Sequence, residues 1–356
     1  MPDPKSRALD AAILAFIKKH RQSPASESAF NELAGRLFTH QFQRNRWLRR
    51  LSELEGKTPG NVRHWKQIPA VPAMAFKQLR LASFPAKDQK KVFYTSGTTR
   101  KTRGIHVFDT LRLYEAALVG PFENTFLKKG EKLSYYFLME SPRSAPHSSL
   151  SHMMGVVNAR FAGGHGRFYV RQGKADLERL FQDLSKEKGK VFLLATAFSL
   201  TAFLDKLKTQ KKGLRLKVGS RLMETGGFKG RITEISKKEL YACCQKMLGL
   251  PKKACFGEYG MTELSSQMYA KAGGVFKGPA WMRTLVIDPA SGEEVPKGRP
   301  GLLRHFDLAN RGSVMAIQTE DVGMAVGDGF RLTGRASGSE LRGCSLSYES
   351  LIGSAA

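Results

Sequence analysis

An alternation of short apolar runs with helical patterns through the middle of the chain constrains the fold most. Short strand-like runs occur at 91–96, 132–139, 166–170, 190–196 and 213–220. Helical patterns lie among them at 111–126, 174–186 and 198–208. Strands that alternate with helices are typical of βαβ units. The sequence therefore predicts an α/β fold with mixed or largely parallel sheets.

The two ends of the chain follow other patterns. Apolar residues at three- and four-residue spacing predict helices at Ala8–His20, Glu27–His40 and Gln41–Glu55. From Val275 onward, strand-like runs are separated by Gly, Pro and Asn, which favour turns. We therefore expect a helical N-terminal portion and a β-rich stretch before the C-terminus.

The charge of the chain is strongly positive, with 58 Lys and Arg against 31 Asp and Glu and a formal net charge of +27. Such a field attracts nucleic acid, anionic lipid or an acidic protein. The cations are spread between apolar runs, as on a solvated surface. No zinc-finger spacing, RNP-like signature or basic-zipper heptad accompanies them, so a nucleic-acid-binding protein is a minor hypothesis.

The first apolar run, at 8–17, contains Asp10 and lacks a cleavage site of small residues. It is typical of an amphipathic helix, so we expect a cytoplasmic protein without a membrane span. Four cysteines in 356 residues are too few for a disulfide framework, and a reducing compartment fits them.

A loop rich in glycine and hydroxyl groups follows the strand-like run at 91–96. It consists of Thr95, Ser96, Gly97, Thr98 and Thr99, and cations that include Lys101 come directly after it. Successive N–H groups and hydroxyls in such a loop suit a phosphate, while a Ser/Thr-rich surface turn is the plainer alternative. No Walker sequence occurs, so a P-loop enzyme is not expected.

Three further segments contain groups that suit a nucleotide. In METGGFKGR, Gly226 and Gly227 would let a flat ring approach the backbone, Phe228 could stack on it, and Lys229 follows; a tight turn without function is the alternative. In FGEYGMTE, Glu263 stands beside Thr262, an arrangement that suits Mg²⁺ on a phosphate oxygen. Further along, Asp321 and Arg335 lie in a strand–turn–strand pattern, and an aspartate can accept hydrogen bonds from both ribose hydroxyls.

Taken in order, YTSGTT, YGMTE and TED…GR resemble the motifs of adenylate-forming enzymes, the superfamily of acyl-CoA synthetases and firefly luciferase. The helical N-terminus, TGGFK and LRGCSLSYE are similar to acyl-protein synthetases of the LuxE type. The resemblance implies three parts: a helical N-terminal portion (1–90), an adenylate-forming core domain (91–335) and a short C-terminal remnant (336–356) of a truncated C-terminal domain.

The resemblance also implies a reaction. ATP and Mg²⁺ would activate a carboxylic acid, expected to be a fatty acid, to an acyl-adenylate that then passes to a thiol. The loop at 95–99 would bind the phosphates, with Lys101 as a candidate cation. Thr262 would contact the α-phosphate, Glu263 would hold Mg²⁺, and Asp321 would bind the ribose. The other nucleotide-binding candidates are Gly226, Gly227, Phe228, Tyr259, Gly260 and Arg335.

The sequence departs from that family near its end. Typical members have about a hundred more residues, which include a lysine that binds the reacting carboxylate, and Lys229 is the candidate replacement. Cys344 would accept the acyl group, with a structural cysteine in a last strand as the alternative. Other acceptors left open are CoA and a carrier protein. His152 is a weak candidate for the acyl pocket; a hydrolase is not expected, because no G-x-S-x-G elbow accompanies it.

Overall fold

A computed structural model describes residues 3–95, 103–226 and 236–336. The chain forms two compact units. The first unit contains the described residues of Met1–Asn124, Met261–Gln267 and Phe276–Ala356, and the second contains those of Thr125–Gly260 and Met268–Val275. The division into parts 1–90, 91–335 and 336–356 stays a prediction.

Helices and strands occur in the mixed order expected of an α/β chain. The α-helices are α1 (Pro4–Lys19), α2 (Glu27–Arg44), α3 (Arg46–Leu54), α4 (Arg112–Phe126), α5 (Ser149–Phe161), α6 (Leu177–Lys186), α7 (Ala197–Thr209) and α8 (Lys237–Leu248). The strands are β1 (Val71–Pro72), β2 (Lys91–Tyr94), β3 (Ile105–Phe108), β4 (Ser134–Glu140), β5 (Arg167–Arg171), β6 (Lys174–Ala175), β7 (Val191–Thr196), β8 (Arg221–Thr225), β9 (Cys255–Tyr259), β10 (Met268–Lys271), β11 (Met282–Ile287), β12 (Pro300–Asp307), β13 (Ala316–Val326) and β14 (Gly329–Arg335). Of the described helices, none combines the length and apolar character needed to cross a membrane.

The second unit contains a seven-stranded sheet in the order β10-β9-β8-β7-β4-β5-β6. Its five central strands are parallel, and β6 and β10 pair antiparallel at the edges. The strand β7 is buried from Val191 to Ala195, as expected for a strand covered on both faces. Leu200, Phe203 and Leu204 of α7 belong to the same hydrophobic core.

The first unit contains a five-stranded sheet in the order β1-β13-β12-β11, with β14 paired to β13. Helix α2 and the segment after α3 contribute to its core: Trp65 packs edge-on against Phe306 at 4.7 Å and Phe30 at 5.5 Å. Arg311 is fully buried and forms ion pairs with Asp10 of α1 and Asp109 after β3. These contacts make α1 and α2 part of the core of the first unit.

Several element boundaries differ from the sequence-based expectation. The strand predicted at 213–220 does not form, because Leu214 and Leu216 donate backbone hydrogen bonds to Met247 and Leu248; the neighbouring strand is β8. The helix predicted from 174 begins instead after Asp176, which caps α6.

The break between the second and third helices lies later than predicted. It falls at Asn45 and not at His40, because the Asn45 side chain accepts from the N–H groups of Trp47 and Leu48 and so caps α3. Helix α5 and strand β10 were not predicted.

Candidate functional site

The strands β2 and β3 form the neck of the loop that the sequence assigns to phosphate. They pair antiparallel from Lys91↔Phe108 to Tyr94↔Ile105. One residue further, the Thr95 N–H donates to the Gly104 carbonyl at 2.9 Å, and the Gly104 N–H donates to Thr95 Oγ1 at 2.7 Å. The two ends of the loop are therefore held together by a continuous ladder.

Thr262 contacts this neck at two points. Its hydroxyl donates to the carbonyl of Tyr94 at 3.4 Å, and its carbonyl accepts from Nδ1 of His106 at 2.7 Å. His106 belongs to β3, one of the two strands of the neck. The structure thus brings the start of the phosphate loop and the threonine of the YGMTE motif together in one unit.

The residues that follow Thr262 are held by a buried polar network. The amide of Asn310 donates to the carbonyl of Glu263 at 2.9 Å. The carboxylate of Asp307 accepts from the N–H groups of Ser265 and Ser266. Burial raises the pKa of Asp307, although these hydrogen bonds act against the shift. The network fixes the backbone on the C-terminal side of Glu263.

Asp321 and Arg335 lie directly opposite each other on the paired strands β13 and β14. The Arg335 guanidinium donates to Glu320 at 2.6 Å. Desolvation opposes a rise in the pKa of Arg335, but the hydrogen bond and charge of Glu320, followed by the charges of Asp321 and Glu263, raise it. The charges of Asp321 and of Glu263, which is distant in the sequence, therefore both act on Arg335.

In the second unit, the adjacent parallel strands β8 and β9 end at the residues that the sequence assigns to the adenine. Thr225 pairs with Glu258, and the Thr225 hydroxyl donates to the Glu258 carboxylate. Tyr259 is buried, and Gly226 has a φ of +81°, which favours glycine. The carboxyl ends of parallel strands are the usual place for a ligand in α/β sheets.

Two buried carboxylates lie at these strand ends. Burial raises the pKa of Glu258 to about 7, and the charge of Glu224 adds to the shift. Glu224 accepts from the Tyr241 hydroxyl at 2.8 Å and also from Lys237, whose ammonium contacts the carbonyl of Gly226 at 3.3 Å. Lys237 therefore places a cation beside Gly226, and the sequence did not single it out.

The described side chains could supply only part of the coordination shell of Mg²⁺. Among the described residues, no three His, Cys, Asp or Glu side chains are grouped to hold a metal ion. Mg²⁺ usually takes one or two carboxylates and completes its shell with water and phosphate oxygens. Glu263, which is 9% exposed and whose charge acts on Arg335, fits that partial role.

The likeness of this chain to known proteins is found among solved structures. No model of a protein family matches it, and no curated protein sequence matches it. An open conformation of 2-hydroxyisobutyryl-CoA ligase, in complex with 2-HIB-AMP and CoA, is similar over 87% of this chain and 69% of its own, with a TM-score of 0.68 at 14% identity. The same ligase in the thioesterification state gives a TM-score of 0.67 at 16% identity, over 87% and 68% of the two chains. The chain has the adenylate-forming fold. The predicted fold class is confirmed.

Several candidate residues on the adenylate-forming fold lie outside the described part of the chain. These are Ser96, Gly97, Thr98, Thr99, Lys101, Gly227, Phe228, Lys229 and Cys344. The roles given to them stay predictions. The described candidates are divided: Thr95, Thr262, Glu263, Asp321 and Arg335 belong to the first unit, and Gly226, Tyr259, Gly260 and His152 to the second. His152 is half-buried in the first turn of α5.

Sequence reasoning missed the residues that support the motifs of the adenylate-forming fold. His106, Asp307, Asn310 and Glu258 all make buried hydrogen bonds at or beside candidate residues. The one available signal was polarity: His106 is the single polar residue in the strand sequence IHVF. Asp307 and Asn310 gave no local signal of this role, because the residues that they hold beside Thr262 lie more than 40 positions away.

Proposed function

We propose that the chain is an adenylate-forming ligase that activates a carboxylic acid with ATP. The observation that carries the proposal is the structural likeness to a ligase crystallised with an acyl-adenylate. The ordered motifs support it, because Thr262 and Glu263 lie beside the neck of the loop assigned to phosphate.

In the proposed reaction, a carboxylate oxygen of the acid attacks the α-phosphorus of ATP. The bond to the leaving pyrophosphate breaks, and an acyl-adenylate forms. No general base is needed, since the carboxylate is already ionised, and catalysis rests on position and on charge neutralisation. The loop at 95–99 and a cation, Lys101 or Lys229, would bind the phosphates.

The other candidate residues would position the nucleotide. Asp321 would accept hydrogen bonds from the ribose hydroxyls, and Thr262 would donate to the α-phosphate. Tyr259 and the Gly226–Gly227 turn would flank the adenine, with Phe228 and Gly260 beside it. Mg²⁺ held by Glu263 would neutralise charge on the phosphate oxygens.

The acyl group then passes to a thiol. A thiolate attacks the acyl carbonyl, the bond to AMP breaks, and the thiol proton goes to solvent. In the first version of the proposal the thiol is Cys344 and the substrate is a fatty acid, as in acyl-protein synthetases of the LuxE type.

A second version, in which CoA or the thiol of a carrier protein accepts the acyl group, has an observation in its favour. The similar ligase was solved with CoA bound. The net charge of +27 would also attract the phosphates of CoA or the acidic face of a carrier protein.

Exchange of labelled pyrophosphate into ATP tests the activation step without knowledge of the acceptor. Acids from acetate to long-chain and aromatic should be compared, and exchange is expected with at least one class. Absence of acid-dependent exchange across the panel would contradict the proposal. Salt-sensitive binding to DNA without an ATP requirement would instead favour the nucleic-acid hypothesis.

A further inference from the structure

The buried imidazole ring of His106 connects two segments of the chain. Its ring is 1% exposed and packs against Phe108, with centroids 4.1 Å apart, and edge-on against Phe76 at 5.5 Å. Nδ1 lies 2.7 Å from the carbonyl oxygen of Thr262. The ring therefore joins strand β3, at the neck of the phosphate loop, to the segment that contains Thr262 and Glu263.

The direction of this hydrogen bond follows from chemistry. A carbonyl oxygen can only accept, so Nδ1 must bear the proton. Burial lowers the pKa of His106 to about 4, although the bond to Thr262 acts against the shift, so the ring is neutral at ordinary pH. In that tautomer Nε2 is a lone-pair acceptor, and it is buried without a hydrogen-bond partner in the part of the chain that the structure describes.

That unpaired nitrogen argues against a role in packing alone. A buried acceptor without a partner lowers stability, and an apolar side chain would fill the space between Phe76 and Phe108 without this penalty. What an apolar side chain cannot supply is the N–H group aimed at the Thr262 carbonyl. The polar character of this position is therefore explained by the hydrogen bond through Nδ1.

We propose that His106 is a positioning residue that fixes Thr262 and Glu263 against the neck of the phosphate loop through its Nδ1–H. The inference rests on the proposed function, since it assigns His106 a part in the same reaction. His106 touches no reacting atom in this account. It acts through the Thr262 backbone, so its loss changes how the enzyme uses ATP and Mg²⁺ and not how it binds the acid.

Substitution of His106 by Asn or Gln distinguishes this hydrogen-bonding role from a role in packing. The amide nitrogen of Asn lies near the place of Nδ1, and that of Gln near the place of Nε2. Four variants are needed: His106→Asn, His106→Gln, His106→Leu and, as a packing control, Phe76→Leu. Pyrophosphate exchange is measured at varied ATP, Mg²⁺ and acid concentrations, and the melting temperature of each variant is recorded.

We expect His106→Gln and His106→Leu to lose about 10–100-fold in kcat/KM for ATP and to need more Mg²⁺ for half-maximal rate, the size of effect typical for groups that orient a metal ligand. The KM for the acid should stay unchanged. His106→Asn should keep most of the wild-type rate. Phe76→Leu should melt earlier but retain the wild-type response to ATP and Mg²⁺.

Hydrogen exchange gives a second readout that does not need activity. Amides at 261–266 should exchange faster in His106→Leu than in wild type, His106→Asn or Phe76→Leu. The proposal is overturned if folded Gln and Leu variants keep wild-type kinetics and protection, if Asn fails as badly as Leu, or if none of the His106 variants folds. A wild-type chain without exchange activity would instead refute the proposed function, and the protection pattern would still report on the contact.

Discussion

Asp307 accepts two hydrogen bonds from Ser266, which lies 41 residues earlier in the chain. One carboxylate oxygen accepts from the backbone N–H and the other from the hydroxyl, each at 2.8 Å. Two more backbone N–H groups, of Ser265 and Ala309, also donate to Asp307. A fully buried carboxylate thus orders the segment behind Glu263 from its C-terminal side, while His106 holds Thr262 on the other.

The first prediction concerns this network. Asp307→Asn places an amide N–H against buried backbone N–H groups, so it should lower the free energy of unfolding by about 2–4 kcal/mol. Activity should fall with stability, because the segment that contains Glu263 loses its support. Urea unfolding followed by circular dichroism measures the change, and Ser266→Ala, which removes one hydroxyl, should have a smaller effect. Equal stability of Asp307→Asn and wild type would contradict the role given to this carboxylate.

The second prediction concerns the attachment of helix α1. Arg311 donates to Asp10 at 2.7 and 3.0 Å and to Asp109 at 2.8 and 3.1 Å, and all three are buried. Arg311 keeps Asp109 as its counter-ion in Asp10→Ala, but two of its buried N–H groups lose their acceptor, so the substitution should cost about 2–4 kcal/mol of unfolding free energy. Asp205→Ala is the matched control, since its pair with Lys208 is exposed and should contribute less than about 1 kcal/mol. A loss no larger than that of the control would show that α1 is not held through Arg311.

The third prediction concerns pH and Glu258. Its pKa is about 7 in the folded chain against an ordinary value of 4.5, so the unfolded chain loses the proton first as pH rises. Wild type should therefore lose stability between about pH 4.5 and 7 relative to Glu258→Gln, by at most about 3 kcal/mol. The measurement is the difference in stability between wild type and Glu258→Gln, taken from their melting curves at each pH. Buried histidines, whose pKa is lowered, change the stability of both proteins in the opposite direction, and this effect cancels in the difference. A constant difference from pH 4.5 to 8 would mean that Glu258 is ionised in the folded protein.

The fourth prediction separates the two versions of the transfer step. With labelled fatty acid and ATP, self-acylation should leave a hydroxylamine-sensitive thioester on the protein, and Cys344→Ser should abolish it while pyrophosphate exchange survives. Cys243→Ser is the control and should keep the label. Label that persists without Cys344, or that appears only on added CoA or carrier protein, would favour the second version.

The sequence predicted the elements whose evidence is local. Neighbouring residues alone form the apolar runs of β4 and β7 and the caps and periodicities of the helices. These local patterns were sufficient to predict the α/β class. The strand expected at 213–220 failed because its backbone bonds to the end of α8, about 30 residues away, which no local pattern records.

The candidate site was predictable to the same extent. The motifs singled out Thr262, Glu263, Asp321 and Arg335, whose roles stay predictions; in the structure the charges of Glu263 and Asp321 both act on Arg335. The supporting groups were not predictable, because His106, Asp307 and Arg311 act through hydrogen bonds to Thr262, Ser266 and Asp10, which lie from 41 to 301 positions away. Such contacts exist only once the chain has folded.

The most direct test of the central claim is acid-dependent exchange of pyrophosphate into ATP, with Mg²⁺ varied, in wild type and Glu263→Gln. Exchange in wild type is expected to require both the acid and Mg²⁺. In Glu263→Gln the rate should fall about 100-fold or more, since the Mg²⁺ loses its protein carboxylate and a bound metal supplies several kcal/mol of charge stabilisation. Exchange that is absent from wild type with every acid, or that is unchanged in Glu263→Gln, would contradict the account.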